Sequence, residues 1–498
     1  MVECCELANC CRALSGLSVS STQPTIYEIN TPIFLREVGQ RVGHSVTLAD
    51  VSSEEWDAVA RPGIDTVWFM GVWKRSPTAI AMAKGEKWLK EALPDIQDED
   101  LLGSAYSIQQ YVVDDLLGGN EGLAIARAAL AQRGIKIILD YVPNHVAIDH
   151  VWVAEHPDYF LSGTKQELKK HPEAFVQTPG GIFAKGKDPN FEPWSDVLQL
   201  NAFSPSLRAE VINTLQKIAT MSDGVRCDMA MLMMNTIFVH TWGQRAGEVP
   251  ETEYWPHIIG AVREAHPDFI FLAEVYWDKQ QALLDEGFDL CYDKDLYDYL
   301  LDGSVHDIRK HLQKSVIYQT HLLRFIENHD EERAAKEFPL DKHMAAAIIT
   351  MTLPGAHMYY DGQYEGRKIR VPVHFGRRVN ETPNTAIINF YNKLQSFIQE
   401  KNFQAGEWRL LTAVSGFLKR DSRHILAWVW SSEQRHYVIV VNFTAEKATA
   451  ILDFDLNHIR SVNTVLKGEV KVSEHINGSQ VTLGAWQHIV IELEKSPK

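Results

Sequence analysis

The 498-residue sequence predicts an α/β chain built on a closed (β/α)8, or TIM, barrel, with a small lobe inserted after the third strand and a C-terminal antiparallel β domain. Three observations lead there. Apolar runs of strand length recur eight times with helix-like segments between them. Four of these runs end abruptly in polar side chains. From about Gly406 the texture changes to short alternating strands with no helices between them. Unbroken apolar runs mark strands covered on both faces, the condition of a parallel sheet wrapped in helices.

The eight runs are Ile26 to Phe34, Thr66 to Val72, Ile135 to Val142, Val225 to Met229, Phe269 to Tyr276, Phe288 to Cys291, Leu322 to Ile326 and Ala356 to Tyr360. Between them, Asn120 to Arg133 stops at Gly134, and Ser204 to Met221 opens on Ser204-Pro205, with proline in the first turn as a helix start requires. His257 to Ala265 and Lys342 to Met351 follow the same logic. Strands alternating with helices close into a parallel barrel whose chemistry lies at the carboxyl ends of the strands.

Two stretches depart from this alternation. Residues 146–201, rich in His, Pro, Gly and Trp, are too long for an ordinary loop and are expected to fold as a lobe over the barrel mouth. Residues 403–498 contain Arg423 to Trp430, Tyr437 to Asn442, Thr449 to Asp453 and His488 to Glu492, the pattern of a β-sandwich. The barrel then comprises residues 24–145 and 202–402, and residues 1–23 form a disordered tail.

Composition narrows the partners. A formal charge of −16 argues against nucleic acid and anionic membrane surfaces, which select basic faces, and favours a neutral or cationic ligand. No apolar stretch reaches the roughly 18 residues of a membrane span. Four of six cysteines crowd the start of the chain as Cys4-Cys5 and Cys10-Cys11, whereas Cys227 and Cys291 sit in apolar runs and are read as reduced core residues. No secretory pattern opens the chain, so a cytoplasmic location is expected. Oligomeric state is left open.

The polar strand ends carry the chemistry. They are Asp140-Tyr-Val-Pro-Asn-His145, Gly224-Val-Arg-Cys-Asp228, Glu274 in Phe269 to Trp277, and Asn328-His-Asp330. Asp228, Glu274 and Asp330 would meet at one mouth. Two carboxylates flanking a glycosidic bond are the equipment of glycoside hydrolysis, and a third can stabilise the cationic transition state. Arg226 lies two residues from Asp228 on a strand, hence on the same side, where its charge should keep Asp228 ionised. Val275, Tyr276 and Trp277 should surround Glu274 with apolar bulk and raise its pKa. His145 and His329 can donate to sugar hydroxyls, and Asp140 is read as structural, bonding backbone or Arg226.

These four ordered motifs resemble the conserved regions of the α-amylase family, glycoside hydrolase family 13, from about Ile26 to the C-terminus. The resemblance implies a retaining α-glycosidase acting on α-glucosides through a covalent glycosyl-aspartate. Asp228 would be the nucleophile, Glu274 the acid/base and Asp330 the transition-state stabiliser. Tyr106, His145, Arg226 and His329 would bind the sugar. No cofactor is needed for that chemistry. The family's structural calcium would have Asn144 as one ligand, and Gln199-Leu-Asn201 is similar to a further short motif closing the insertion.

Met231-Leu-Met-Met234 departs from the Lys-His that starch-cleaving relatives carry after the nucleophile, and Gln110-Tyr111 departs from Asp-Tyr. Both speak against the calcium site, and the first favours short α-glucosides or oligosaccharides over long starch chains. A transglycosidase or glycosyl transferase would use the same carboxylates, with Arg367, Lys368 and Arg370 near the acceptor side. A catalytically inactive carbohydrate-binding relative is the third reading.

Overall fold

The computed structural model describes residues 24–93, 95–401, 403–415, 420–454, 459–467, 476–477 and 480–495. The predicted tail, with Cys4, Cys5, Cys10 and Cys11, lies outside the described residues.

Eight parallel strands close a barrel, numbered here β1 (Thr25–Asn30), β2 (Thr66–Met70), β3 (Lys136–Tyr141), β4 (Gly224–Cys227), β5 (Ile270–Ala273), β6 (Leu290–Tyr292), β7 (Leu322–Arg324) and β8 (Ala356–Tyr360). Neighbours in sequence are neighbours in space, and β1 closes the ring against β8 through Thr25 opposite His357. All eight predicted strands are present. Their residues are buried nearly throughout, as unbroken apolar runs require.

Several boundaries shift by one to three residues, and the first strand's shifts most. The first strand does not reach Phe34. It ends at Asn30, and Thr31–Val42 is a helix with Pro32 in its first turn and Gly43 beyond its end at φ 82°. Proline is pre-shaped for a helix start, and Ile33, Phe34, Leu35 and Val38 then fall on one buried helical face, a spacing easily mistaken for a continuing strand.

The lobe is tied to the barrel by its own ends. His145–Ala147 pairs antiparallel with Val197–Gln199, His145 opposite Gln199, so the insertion leaves and returns at one point above β3. Within it, Phe175–Thr178 and Gly181–Ala184 form a hairpin.

The C-terminal residues form two five-stranded sheets. In Ile425–Ser431 alternate side chains serve different cores. Ile425, Ala427 and Val429 join Val438, Ala450, Val481 and Ile491 between the two sheets, while Leu426, Trp428 and Trp430 join the barrel's own cluster. The sandwich is thereby welded to the barrel rather than tethered. The indole nitrogens of Trp428 and Trp430 both donate to the carbonyl of Thr352, at 3.2 and 2.8 Å, at the end of helix Leu340–Thr352. That carbonyl is one a helix leaves unpaired, and Thr352 is fully buried.

Either indole alone can satisfy it. Trp428→Phe and Trp430→Phe are therefore expected to cost less separately than together. The excess of the double variant over the sum of the singles should be about 1–2 kcal/mol in urea unfolding, the cost of a buried carbonyl left without a donor.

Candidate active site

The centre of the barrel mouth is a cation. Arg226 on β4 points inward and is 0% exposed. Its Nη1 lies 2.9 Å from Asp228 Oδ1 and 3.6 Å from Asp140 Oδ1, and its Nη2 lies 2.7 Å from Glu274 Oε2. Its Nε donates to the Tyr292 hydroxyl at 3.3 Å. The guanidinium also faces the rings of Trp68 and Tyr106, each 5.2 Å away. Stripping a cation of water costs several kcal/mol, by a rough reckoning, and only a fork that meets carboxylates on several sides offsets it.

One guanidinium cannot neutralise three acids. Arg226 lowers the Asp228 pKa as expected but does not keep the acid ionised: burial, then the adjacent charge of Glu274, outweigh it and push the pKa up to about 8. Burial likewise lifts Asp140 to about 6, against the pull of Arg226 and His329 and of the Gly71 N–H that bonds it at 3.2 Å. Asp140 thus has the structural role expected, bonding backbone and lying beside Arg226.

Glu274 sits among donors, one of them the expected neighbour Tyr276. Tyr276 donates its hydroxyl to Oε1 and Met229 its backbone N–H to Oε2, both at 2.8 Å. Met229 has φ 43°, and Trp277 and Asp278 have φ 60° and 54°. A side chain held in the left-handed region costs about 1–3 kcal/mol and tends to mark functional turns. Here one such turn directly follows Asp228 and aims an amide at Glu274, tying the two acids' positions together.

Asp330 belongs to a second charged group. Its side chain is 47% exposed, open to the cleft, and its Oδ2 lies 3.0 Å from His329 Nε2. Desolvation would raise its pKa, but the charge and hydrogen bond of His329, with Arg226 and Arg370, bring it down to about 2. His329 is fully buried, its Nδ1 2.5 Å from Glu28 Oε1 and its Nε2 2.7 Å from the Tyr106 hydroxyl, with the Tyr106 ring stacked on it. Burial works against a charge on this ring, yet Asp330 and Glu28 raise its pKa well above the ordinary value.

Of the predicted residues, Asp228, Glu274, Asp330, Arg226, His329 and Tyr106 converge directly. His145 joins them through Tyr106, whose main chain bonds its ring, and it packs on Trp194 at 4.9 Å. Burial takes His145 down to about 3, so it is a neutral ring. Of the three basic residues after β8, Arg370 alone touches the site's triad, donating to the Asp330 carbonyl at 2.6 Å. Arg367 turns to Glu37, and the Lys368 main chain bonds Glu381. Sequence reasoning missed Glu28, Trp68 and Tyr292. The signal for Glu28 was present: one carboxylate inside the apolar strand Thr25–Asn30, on the inward alternation with Ile26 and Asn30.

The family model described as "Alpha amylase, catalytic domain" matches residues 54–285, which hold Tyr106, His145, Arg226, Asp228 and Glu274. Over that stretch the barrel is similar to the α-amylase family. The chain is 25% identical over 342 residues to the alpha-amylase MalA of Haloarcula japonica, covering 64% of this chain and 44% of that one, so it spans less than half of that relative's length. Among solved structures, a noncanonic maltogenic alpha-amylase from Thermotoga neapolitana superposes with TM-score 0.67 at 18% identity, covering 96% of this chain and 100% of that one. The Nostoc punctiforme debranching enzyme superposes with TM-score 0.68 at 17% identity, covering 94% and 98%.

The residues of this barrel do not fit the calcium that the resemblance implies. The Gln199 side-chain amide donates to the Asn144 carbonyl at 2.9 Å, to Asn144 Oδ1 at 2.8 Å and to the Leu200 carbonyl at 3.1 Å. The oxygens a cation would need already accept from a neutral amide. Among the described residues no three His, Cys, Asp or Glu side chains gather as a metal site. EDTA should therefore move the melting temperature by less than about 1 °C, while Gln199→Ala, taking the buried amide donor from Asn144 Oδ1, should cost about 1–3 kcal/mol.

A second expectation concerns pH. A carboxyl whose folded pKa is raised to about 8 contributes stability that is fully present below its unfolded pKa, near 4, and is lost as pH rises through 8. Asp228→Asn abolishes that loss. The melting temperature of the Asn variant minus that of the wild type should climb steadily between pH 4.5 and 8.5; a flat difference would contradict the raised pKa.

Proposed function

We propose that this protein is a retaining α-glycoside hydrolase acting on short α-glucosides or α-glucan oligosaccharides. The observation that carries this reading is the division of three acids into two settings around Arg226. Asp228 and Glu274 share its guanidinium, with Asp228 pushed toward its protonated form, while Asp330 is kept ionised by His329.

Asp228 attacks the anomeric carbon, and Glu274 protonates the departing oxygen. Water, deprotonated by Glu274, then releases the sugar from Asp228. The reaction needs the pair's proton on Glu274, because a protonated Asp228 cannot attack. Their titration belongs to the pair. A neutral glucoside brings an ether oxygen, an acceptor only, to Glu274 and so favours the proton there. Asp330, ionised and open to the cleft, faces the charge that develops on the sugar ring.

Met231 to Met234 are buried apolar residues where starch-cleaving relatives carry Lys-His, which favours a short substrate. Two structural neighbours are named as maltogenic and debranching enzymes, which suits α-glucan oligosaccharides. Cys227 and Cys291 are free and buried, consistent with a reducing compartment such as the cytoplasm. No helix among the described residues is long and apolar enough to cross a membrane.

The test is incubation with maltose, sucrose, trehalose and maltodextrins, with products and anomers followed by NMR. A first-formed α-anomer is expected, and Asp228→Asn should lower turnover by about 10³-fold or more. A first-formed β-anomer, or an active Asn variant, overturns the mechanism. Products carrying new glycosidic bonds in place of free sugar would assign transfer instead of hydrolysis. Binding without cleavage would assign a carbohydrate-binding relative.

A further inference from the structure

We propose that Glu28 is a positioning residue: by accepting the Nδ1 proton of His329, it commits Nε2 of that ring to donate toward Asp330 and toward a sugar hydroxyl bound beside it. The inference rests on the glycosidase reading for the sugar, but not for the ring.

An ionised carboxylate accepts hydrogen bonds and donates none. His329 Nδ1 is 2.5 Å from Glu28 Oε1, and Nε2 is 3.0 Å from Asp330 Oδ2. A bare nitrogen facing either acid would set lone pair against lone pair, so both nitrogens carry protons. The Tyr106 hydroxyl, 2.7 Å from Nε2, is left to accept from the ring or to pass its own proton onward.

The groups facing this ring come from every side. Glu28 comes from β1, Asp140 from β3, Asp330 from the segment after β7, and Tyr106 from the loop before strand Ile108–Val113. Trp68 on β2 presents an uncharged edge at 5.4 Å. Arg226, stacked on Trp68 and Tyr106, is the cation that opposes a second positive charge here. Three acids against one arginine leave room for it.

Glu28 serves no other partner that would explain its presence. It is 0% exposed, and its Oε2 has no hydrogen-bond partner among the described residues. A buried acid with one oxygen unpaired costs stability that an amide or an apolar side chain of the same size would spare. A residue kept only for packing would not be a carboxylate. Neither neighbouring inward position of β1, Ile26 or Asn30, carries a charge.

Glu28→Gln keeps size and an acceptor oxygen but removes the charge. The ring is then expected to be neutral, with Nδ1–H on Gln and a bare Nε2 facing Asp330. Imidazole ¹⁵N NMR, with the His329 signal identified by its loss in His329→Gln, should show both nitrogens protonated in the wild type at pH 7 and one bare nitrogen in Glu28→Gln. Turnover of the best α-glucoside should fall about 10²-fold, as on loss of one transition-state donor. The acid limb of kcat/KM should move to higher pH, because Asp330 loses the cation that keeps it ionised. Glu28→Asp should restore the limb, and the Gln variant should melt no lower than the wild type.

A neutral His329 in the wild type, a protonated one in Glu28→Gln, or an unmoved acid limb overturns the proposal. A Glu28-dependent ring charge in a protein that cleaves no glucoside supports the Glu28–His329 coupling and overturns the glycosidase reading alone.

Discussion

A guanidinium with no access to water sets the terms for everything around it. Arg226 could not be buried in this barrel without acids on several sides, and those acids could not be placed without strands that end at the same height. The parallel barrel meets that need: Asp140, Arg226 and Glu274 lie on or just past β3, β4 and β5, and adjacent strands in register deliver them to one level. The helices outside, and the sandwich welded to the helix ending at Thr352, keep that register from shifting. Fold and site share one electrostatic requirement.

The cost of the arrangement appears where the chain is bent. Met229, Trp277 and Asp278 hold left-handed backbone immediately after the acids, and Met229 repays its strain by bonding Glu274. Asp228 is pushed toward its protonated form, and Asp140 and Glu28 are buried without full hydrogen bonding. None of this favours the folded state. It fixes oxygen positions, which is what a reaction at one carbon requires.

Much of this was legible in the sequence because barrel strands have a one-dimensional signature. The apolar run and its polar end are both local, so Asp228, Glu274, His329 and Asp330 could be read without knowing their partners. The failures at the site were nonlocal. Whether Arg226 keeps Asp228 ionised depends on how many other acids share it, and Glu274 and Asp140 are distant in sequence. Glu28 is a single acid in a strand that ends in a helix-starting Thr-Pro rather than in a polar cluster, and its partner is 301 positions away. The Gln199 amide at Asn144 shows the same limit: the residue types were visible, but only the fold shows that one occupies the other's acceptors.

The charge balance of the mouth connects these details to the proposed chemistry. Three basic side chains, Arg226, His329 and Arg370, face Glu28, Asp140, Asp228, Glu274 and Asp330. Acids outnumber cations, so the unliganded site must hold protons on some of them, and the raised Asp228 pKa is one expression of that surplus. An anionic ligand would add to the surplus and be disfavoured. A neutral sugar would not, and a sugar ring gaining positive charge as its glycosidic bond breaks would relieve it. Preorganised negative potential of this kind acts on the transition state more than on the ground state, which is the condition for raising a rate and not merely an affinity. The instability built into the resting site is thus the source of its selectivity for a cation that exists only during the reaction.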